Sequence, residues 1–338
     1  MSTDTIKTLF HPFERALLTP PKKASSVLFL GAEPGFRLPE GWAAPIHAVQ
    51  GFRPDFRALE RMDVAVTARA EGDSYTMTLV LAGRHRGQNE LRVAEAIERT
   101  VSGGPIVVAG SKDDGIASLR KRLDGMVGIE GALPKYHGLA FWFHKRDGAG
   151  GVASALRAAN PAVLVEGRFQ AAPGMFSHDR VDAGSKLLAD NLPGDLRGHV
   201  ADFCAGWGFV AATIADRFPA VSAIDLFEAD FEALEAAKIN LCGAARPTEF
   251  SWIDLLSEPV ECRYDAVVMN PPFHRGRAAE PDIGAGVIRA AAKALKPGGR
   301  LVMVANRQLP YEAVLKASFS SWSEIARDGA FKVFSARR

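Results

Sequence analysis

Asp265-Ala266-Val267-Val268-Met269 runs straight into Asn270-Pro271-Pro272-Phe273-His274, and the fold follows from that join. The first five residues are apolar enough for a strand covered on both faces of a parallel sheet. The two prolines bring no N–H to a sheet ladder, so the strand stops there and the backbone beyond it is stiff. Open α/β sheets place ligands in the crevice outside the carboxyl ends of their strands, which is where Asn270 to Phe273 fall. The Asn270 side-chain oxygen and the Pro271 carbonyl can accept both hydrogens of an exocyclic amine. The amine nitrogen then keeps its lone pair for an electrophile, and Phe273 offers a face on which a planar base stacks. Methylation of a nucleobase nitrogen needs that set of groups; a surface loop carrying Asn-Pro-Pro needs only chance.

Working upstream, His199 to Phe203 reads as a strand, followed by Cys204-Ala205-Gly206-Trp207-Gly208 and a helix from Val210 to Arg217. The pattern Asp202-x-x-x-Gly206-x-Gly208 lacks the third glycine of a dinucleotide fingerprint and the lysine of a phosphate loop, which argues against NAD and ATP. Val221 to Phe227 is a second strand, and Glu228 stands 22 residues after Gly206, where a carboxylate takes both hydroxyls of a ribose. Asp225 is the alternative for that role. After a helix from Phe231 to Leu241, a third strand ends at Ser251-Trp252-Ile253-Asp254, and Asp254 can accept from an adenine amino group. The polar run Phe176-Ser177-His178-Asp179-Arg180-Val181-Asp182-Ala183-Gly184-Ser185 precedes a helix expected from Lys186 to Asn191. It is either part of an active-site floor or a helix entry capped by Asp182 and Ser185. Downstream, a helix over Ala290 to Leu295, a tight turn at Lys296-Pro297-Gly298-Gly299 and a strand from Arg300 to Ala305 are expected, with Ala330 to Ser335 pairing antiparallel to that strand.

The first half has the same rhythm without the chemistry. Val27 to Gly31 is a strand ending in a glycine turn, but Pro34 and Gly35 follow and no helix pattern starts there, so little is offered to a cofactor. Thr76 to Ala82 is a strand followed by the basic loop Gly83-Arg84-His85-Arg86-Gly87 in place of Asn-Pro-Pro. Ala96 to Arg99 followed by Gly103 to Gly110 parallels Val287 to Ala290 followed by Gly298 to Ala305. The chain therefore reads as an internal duplication of a doubly wound α/β domain whose first copy has lost its site. Arg84, His85, Arg86, Lys112, Arg120, Lys121 and Arg122 form either an RNA-facing basic surface or an ordinary solvated helix face. An aromatic strand from Gly138 to Phe143 closes the first domain, and Asp147-Gly148-Ala149-Gly150-Gly151 marks a turn or linker onset. The domains are set at 1–165 and 166–338.

The composition, 47% hydrophobic and 24% charged over 338 residues, belongs to a globular chain of two ordinary domains. No stretch approaches eighteen apolar residues, and Met1 to Pro12 has no apolar core, so neither a membrane span nor secretion is expected and the cytoplasm is the expected location. Cys204, Cys242 and Cys262 match no zinc spacing and are odd in number, so they read as reduced and structural, with no metal. The net charge of +2 is unevenly spread, with 21 basic and 17 acidic residues up to position 165 and 20 and 22 beyond it. A weakly basic first half suits a phosphate backbone, as does any mixed solvated surface.

The second half resembles class I S-adenosylmethionine-dependent methyltransferases. Three features carry a narrower resemblance: Phe176-Ser177 through Asp182-x-Gly184-Ser185, the run from Asn270 to His274, and a first domain that looks like a methyltransferase without its cofactor site. On these the whole chain resembles the ribosomal RNA small subunit methyltransferase C family and its large-subunit relatives, which methylate the N2 amine of guanine. The resemblance implies two tandem Rossmann-like methyltransferase domains, the first degenerate and used to bind or position RNA. It implies S-adenosylmethionine as cofactor, with Gly206 and Gly208 beside its methionine part, Glu228 on the ribose and Asp254 near the adenine, and with Asp202, Ala205 and Asn270 also in the cofactor site. Asn270, Pro271, Pro272 and Phe273 are then the catalytic loop, with Phe176, Ser177, Asp182, His274 and Arg275 toward the substrate. Arg277 is a further RNA-phosphate candidate, and His274 is either a proton acceptor or structural. The implied substrate is 16S rRNA in the 30S subunit or an assembly intermediate, acted on by a monomer whose two halves form a pseudo-dimer. The rivals are 23S rRNA, adenine N6 in DNA and glutamine in protein, and, from another class, a non-catalytic RNA-binding module.

Overall fold

A computed structural model describes residues 3–272, 274–275, 278–279 and 281–338. It divides into two compact units, Met1–Ala162 and Val163–Arg338. The first unit runs α1 (Thr3–Glu14), β1 (Val27–Leu30), β2 (Ile46–Val49), α2 (Arg53–Arg61), β3 (Ala65–Thr67), β4 (Met77–Leu81), α3 (Arg86–Arg99), β5 (Pro105–Ser111), α4 (Ile116–Val127), β6 (Gly131–Lys135), β7 (Gly138–His144) and α5 (Gly150–Ala158). The second runs β8 (Val163–Val165), β9 (Phe169–Ala171), α6 (Ala183–Asp190), β10 (Gly198–Phe203), α7 (Phe209–Arg217), β11 (Val221–Glu228), α8 (Phe231–Asn240), β12 (Thr248–Trp252) and β13 (Tyr264–Met269). It continues with β14 (His274–Arg275), β15 (Ala278–Ala279), α9 (Pro281–Ala294), β16 (Leu295–Asn306), α10 (Glu312–Ser318), β17 (Ser321–Arg327) and β18 (Phe331–Arg337).

Each unit holds a seven-stranded sheet, ordered β3-β2-β1-β4-β5-β7-β6 in the first and β12-β11-β10-β13-β16-β18-β17 in the second. Strand for strand, the two orders are the same. In each sheet six strands run the same way and one is reversed: β7 and β18 are antiparallel to both of their neighbours, and the other pairings are parallel. Both faces of each sheet are covered, which is why the central strands read as continuous apolar runs. The pleat sends alternate residues to opposite cores: Val200 packs on one side of the second sheet, Ala201 and Phe203 on the other.

The duplication extends to backbone detail. Cys204 and Gly31, each the first residue after the matching strand, both have positive φ, at 59° and 68°. Four residues on, Gly208 and Gly35 do so again, at 89° and 91°. Ala205 N donates to Phe227 O at 3.1 Å and Ala32 N to Val49 O at 3.2 Å. Matched in this way, Asp202 corresponds to Phe29, Glu228 to Gln50 and Asn270 to Leu81. Every chemically equipped strand end of the second unit has thus become apolar or uncharged in the first. Gln50 bridges the loop through Nε2 to Ala32 O at 2.7 Å and accepts from Phe52 N at 2.8 Å. Arg92 reaches across Gly31 to donate to Leu81 O at 2.8 Å.

Several elements differ from the sequence expectation. Residues 3–14 form a helix whose Ile6, Leu9, Phe10 and Phe13 are buried at i, i+3, i+4 and i+7 spacing. The expected turn is present at Asp147 to Ala149, but Gly150 and Gly151 open α5 rather than a linker, and α5 packs along α3. The turn Lys296 to Gly299 lies inside β16 as a bulge, since Tyr264 pairs with Leu295 and Ala266 with Arg300. α6 starts at Ala183, three residues before the expected Lys186, because Asp182 caps it.

Candidate active site

The strand order places four loops side by side at the carboxyl edge of the second sheet: Asp254 after β12, Glu228 ending β11, the glycine turn after β10, and Asn270 after β13. Asn270 is the hub. Its Nδ2 donates to Asp182 Oδ2 at 2.9 Å and to Ser185 Oγ at 2.8 Å. Asp182 Oδ2 also accepts from Ser185 N at 2.8 Å, so one carboxylate oxygen caps α6 and holds the asparagine. A carboxylate only accepts, so the amide must turn its NH2 toward Asp182 and its oxygen the other way. That oxygen, Asn270 Oδ1, is buried without a hydrogen-bond partner among the described residues. Of the readings offered by the sequence, the helix cap is seen for Asp182, whereas Ser185 lies in the first turn of α6 and its hydroxyl accepts from Asn270 instead of capping the helix. Pro271 is buried beside Asn270 and Pro272 is exposed. Phe273 and Arg277 lie outside the described residues, and of His274 and Arg275 only the backbone is described, as β14 pairing with β15.

Glu228 ties two strand ends together. Oε2 accepts from Gly206 N at 2.7 Å, and Oε1 accepts from Ala229 N and Asp230 N, both at 2.8 Å. Asp225, the sequence alternative, lies inside β11 with Tyr264 Oη donating to it at 2.7 Å, so it is turned away from the edge. Asp254 accepts from Leu256 N at 3.0 Å and Ser257 Oγ at 2.6 Å, which fixes its carboxylate at the third strand end. Gly206, at φ 55°, has open space where a Cβ would stand, whereas a Cβ on Gly208 would come 2.6 Å from Leu241 Cδ1 and 3.2 Å from Ala237 Cβ. Gly208→Ala is therefore expected to lower stability by about 1–3 kcal/mol, read by urea unfolding, because strained backbone and crowding add.

Sequence reasoning missed two clamps. Asn240 donates to Gln170 O at 3.0 Å and Trp207 O at 2.8 Å, and accepts from Gln170 N at 2.7 Å, pinning β9 to the glycine turn. Trp207 Nε1 donates to Phe176 O at 3.1 Å. The Phe176 ring is largely exposed, and Ser177 holds a positive φ of 50°. Nothing local marks Asn240, since its partners are 70 and 33 residues away.

Asp202 lies beneath the glycine turn, fully buried, with Oδ2 unpartnered among the described residues. Burial pushes its carboxyl up to about 8, and burial pushes Glu228 up to about 7 against the pull of its three backbone donors. Burial also raises the Cys204 thiol. Between about pH 4 and 8 the unfolded chain has released these carboxyl protons while the folded chain still holds them, so stability falls as pH rises through that window. The thermal midpoint should be higher at pH 5 than at pH 8, and Asp202→Asn should shrink the difference; an unchanged slope in the variant would contradict the assignment.

The comparisons with known proteins bear on this geometry. The family model described as methyltransferase small domain matches residues 166–335. The chain belongs to the methyltransferase small domain family. Within it, the second unit's glycine turn, Glu228 and the Asn-Pro-Pro loop all fall inside the matched residues. Two curated relatives, both named ribosomal RNA small subunit methyltransferase C, come from Salmonella newport and Salmonella paratyphi B and are 36% identical over 162 residues. Those alignments cover 48% of this chain and 47% of each relative, so the match spans about half the length of the curated relatives. A solved structure, the 16S rRNA N2 G1207 methyltransferase of T. thermophilus in complex with AdoMet and guanosine, is 24% identical with a TM-score of 0.78. It covers 97% of this chain and 91% of its own, so the fold of both units, two tandem methyltransferase-like domains, is shared. The first unit is the degenerate copy, with Phe29, Gln50 and Leu81 where this family member's second unit has Asp202, Glu228 and Asn270.

Proposed function

We propose that the chain transfers the methyl group of S-adenosylmethionine to the exocyclic N2 amine of a guanine in 16S ribosomal RNA. The observation that carries this reading is the Asn270 amide: NH2 anchored twice, Oδ1 buried and unpartnered among the described residues at the end of β13. Oδ1 and the Pro271 carbonyl accept the two amine hydrogens and aim the nitrogen lone pair, and both offset the positive charge that grows on nitrogen as it reacts. The proton leaves to water afterwards. Alignment of this kind is worth on the order of 7–11 kcal/mol, so no strong base is required. Phe273 stacks the guanine once it is turned out of its helix.

The edge residues fit the cofactor by their donor and acceptor chemistry. Glu228 Oε2 accepts one backbone bond and retains a lone pair for a ribose hydroxyl, each Asp254 oxygen accepts one local bond and retains one for an adenine amine, and the ground over Gly206 is open. Ala205 and Gly208 in the turn, with Asp202 beneath it and Asn270 on the adjacent strand end, would hold the methionine end. When bound, S-adenosylmethionine supplies an electrophilic methyl group on a sulfonium. The rRNA substrate is supported by the names of the relatives, and guanine N2 by that of the solved neighbour. The first unit positions the RNA, and a single chain acts in the cytoplasm on the 30S subunit or an assembly intermediate. Among the described residues no helix is long and apolar enough to cross a membrane, and no cluster could hold a metal.

The test is tritiated-methyl transfer to undermethylated 30S subunits, 50S subunits, DNA and total protein in parallel, with nucleoside analysis. Label as N2-methylguanosine in 30S RNA is expected. Label in 50S RNA alone moves the target to 23S rRNA, and label in DNA or protein, or none, overturns the guanine reading.

A further inference from the structure

The basic residues singled out in the first unit do not behave alike. Arg84 faces Asp114 at 3.5 Å, whereas Arg86 from α3 and Arg122 from α4 converge on one oxygen of Glu90. Arg86 Nε stands 2.9 Å and Arg122 Nε 2.8 Å from Glu90 Oε1, while Asn160 Nδ2 donates to Oε2 at 2.8 Å. The Glu90 side chain is 1% exposed and the Arg86 side chain 74%. Burial by itself would raise the Glu90 carboxyl, but Asn160 and the two arginines outweigh it and hold the group below the usual range. One buried negative charge therefore braces two positive ones, leaving net charge +1 at the surface.

Two features set this apart from a routine ion pair. Arg86 opens α3, at the end where the helix dipole is already positive, and α3 has no acidic residue in its first turn. A cation there opposes local stability, and such departures gather at functional positions. Arg86 donates to Glu90 through Nε, and Arg122 meets the same oxygen as an ion pair. Their Nη groups form a pair of forks suited to phosphate oxygens. Because the carboxylate already fixes both side chains, less rotamer freedom is lost when an anion binds.

We infer that Arg86 and Arg122, braced by Glu90, form an RNA phosphate-binding site in the first unit. This rests on the RNA reading above and adds residues to it. The degenerate copy keeps a grip on the backbone of the RNA while the second unit does the chemistry. Such contacts carry no sequence information, but they fix register.

The experiment is filter binding of the full chain to unmodified 16S rRNA transcript between about 50 and 200 mM KCl, without cofactor. For Arg86→Gln/Arg122→Gln the slope of log affinity against log salt should fall by about 2, about one per arginine. Affinity should drop on the order of tenfold, while kcat at saturating RNA stays at the wild-type value. Arg86→Lys/Arg122→Lys, which keeps a charge on Glu90, should retain the slope and lose only part of the affinity, and thermal unfolding of both variants reports folding. A folded Gln variant with the wild-type slope overturns the site. Wild-type chain that does not bind 16S rRNA overturns it together with the rRNA reading, whereas RNA binding without methyl transfer overturns the methylation reading and leaves the site standing.

Discussion

Asn270→Ala is expected to lower methyl transfer by on the order of 10²–10³-fold, the scale of losing one group preorganised for charge that develops in the transition state. On the proposed mechanism the loss is expected in kcat, because the oxygen would aim the nitrogen and contribute little to holding the RNA. Asn270→Asp is expected to be as poor as alanine. A carboxylate has no hydrogen to give Asp182 or Ser185, and it would set a second negative charge against Asp182 at the present 2.9 Å contact. Single-turnover rates at saturating RNA measure both, and a variant that kept more than about a tenth of the wild-type rate would show that Oδ1 does not orient the amine.

The second large effect acts through Asn270. Asp182→Ala/Ser185→Ala removes both acceptors of the Asn270 amide, so the side chain is free to rotate and present NH2 where the oxygen should be. A fall in kcat of about 10²-fold is expected, the scale of a misplacement of about 1 Å. Loss of the α6 cap should cost about 1 kcal/mol, read by urea unfolding, far less than the catalytic loss implies. Ser185→Ala alone keeps the Asp182 contact and should fall between. If the double variant lost stability and activity in step, Asp182 and Ser185 would be structural supports only.

What the sequence made legible follows from range. Asp265 to Phe273 declares its strand and its proline stop within nine residues, and the helix and glycine turns of both copies are equally local. Glu228 was legible for the same reason, at a fixed step from Gly206. The bond from Asn270 to Asp182 joins residues 88 apart, and no local pattern encodes it, so the sequence left Asp182 between two readings. Asn240 escaped for the same cause. The edge strands escaped for another: β17 alternates weakly and is mostly exposed, so its place is decided by pairing with β18 and not by its own residues. Met1 to Pro12 was read as having no apolar core, yet Ile6, Leu9, Phe10 and Phe13, at helical spacing, bury themselves in the core of the first unit. The difference between the two copies became exact only with the strand register, which sets Gln50 against Glu228 and Leu81 against Asn270.

The most direct measurement is a crystal structure of the chain with guanosine and S-adenosylhomocysteine. The account predicts the guanine N2 within about 3.2 Å of both Asn270 Oδ1 and the Pro271 carbonyl, with Asn270 Nδ2 still on Asp182 and Ser185. Guanine bound with its N2 away from these two oxygens, or an Asn270 amide turned so that NH2 faces the base, would contradict it.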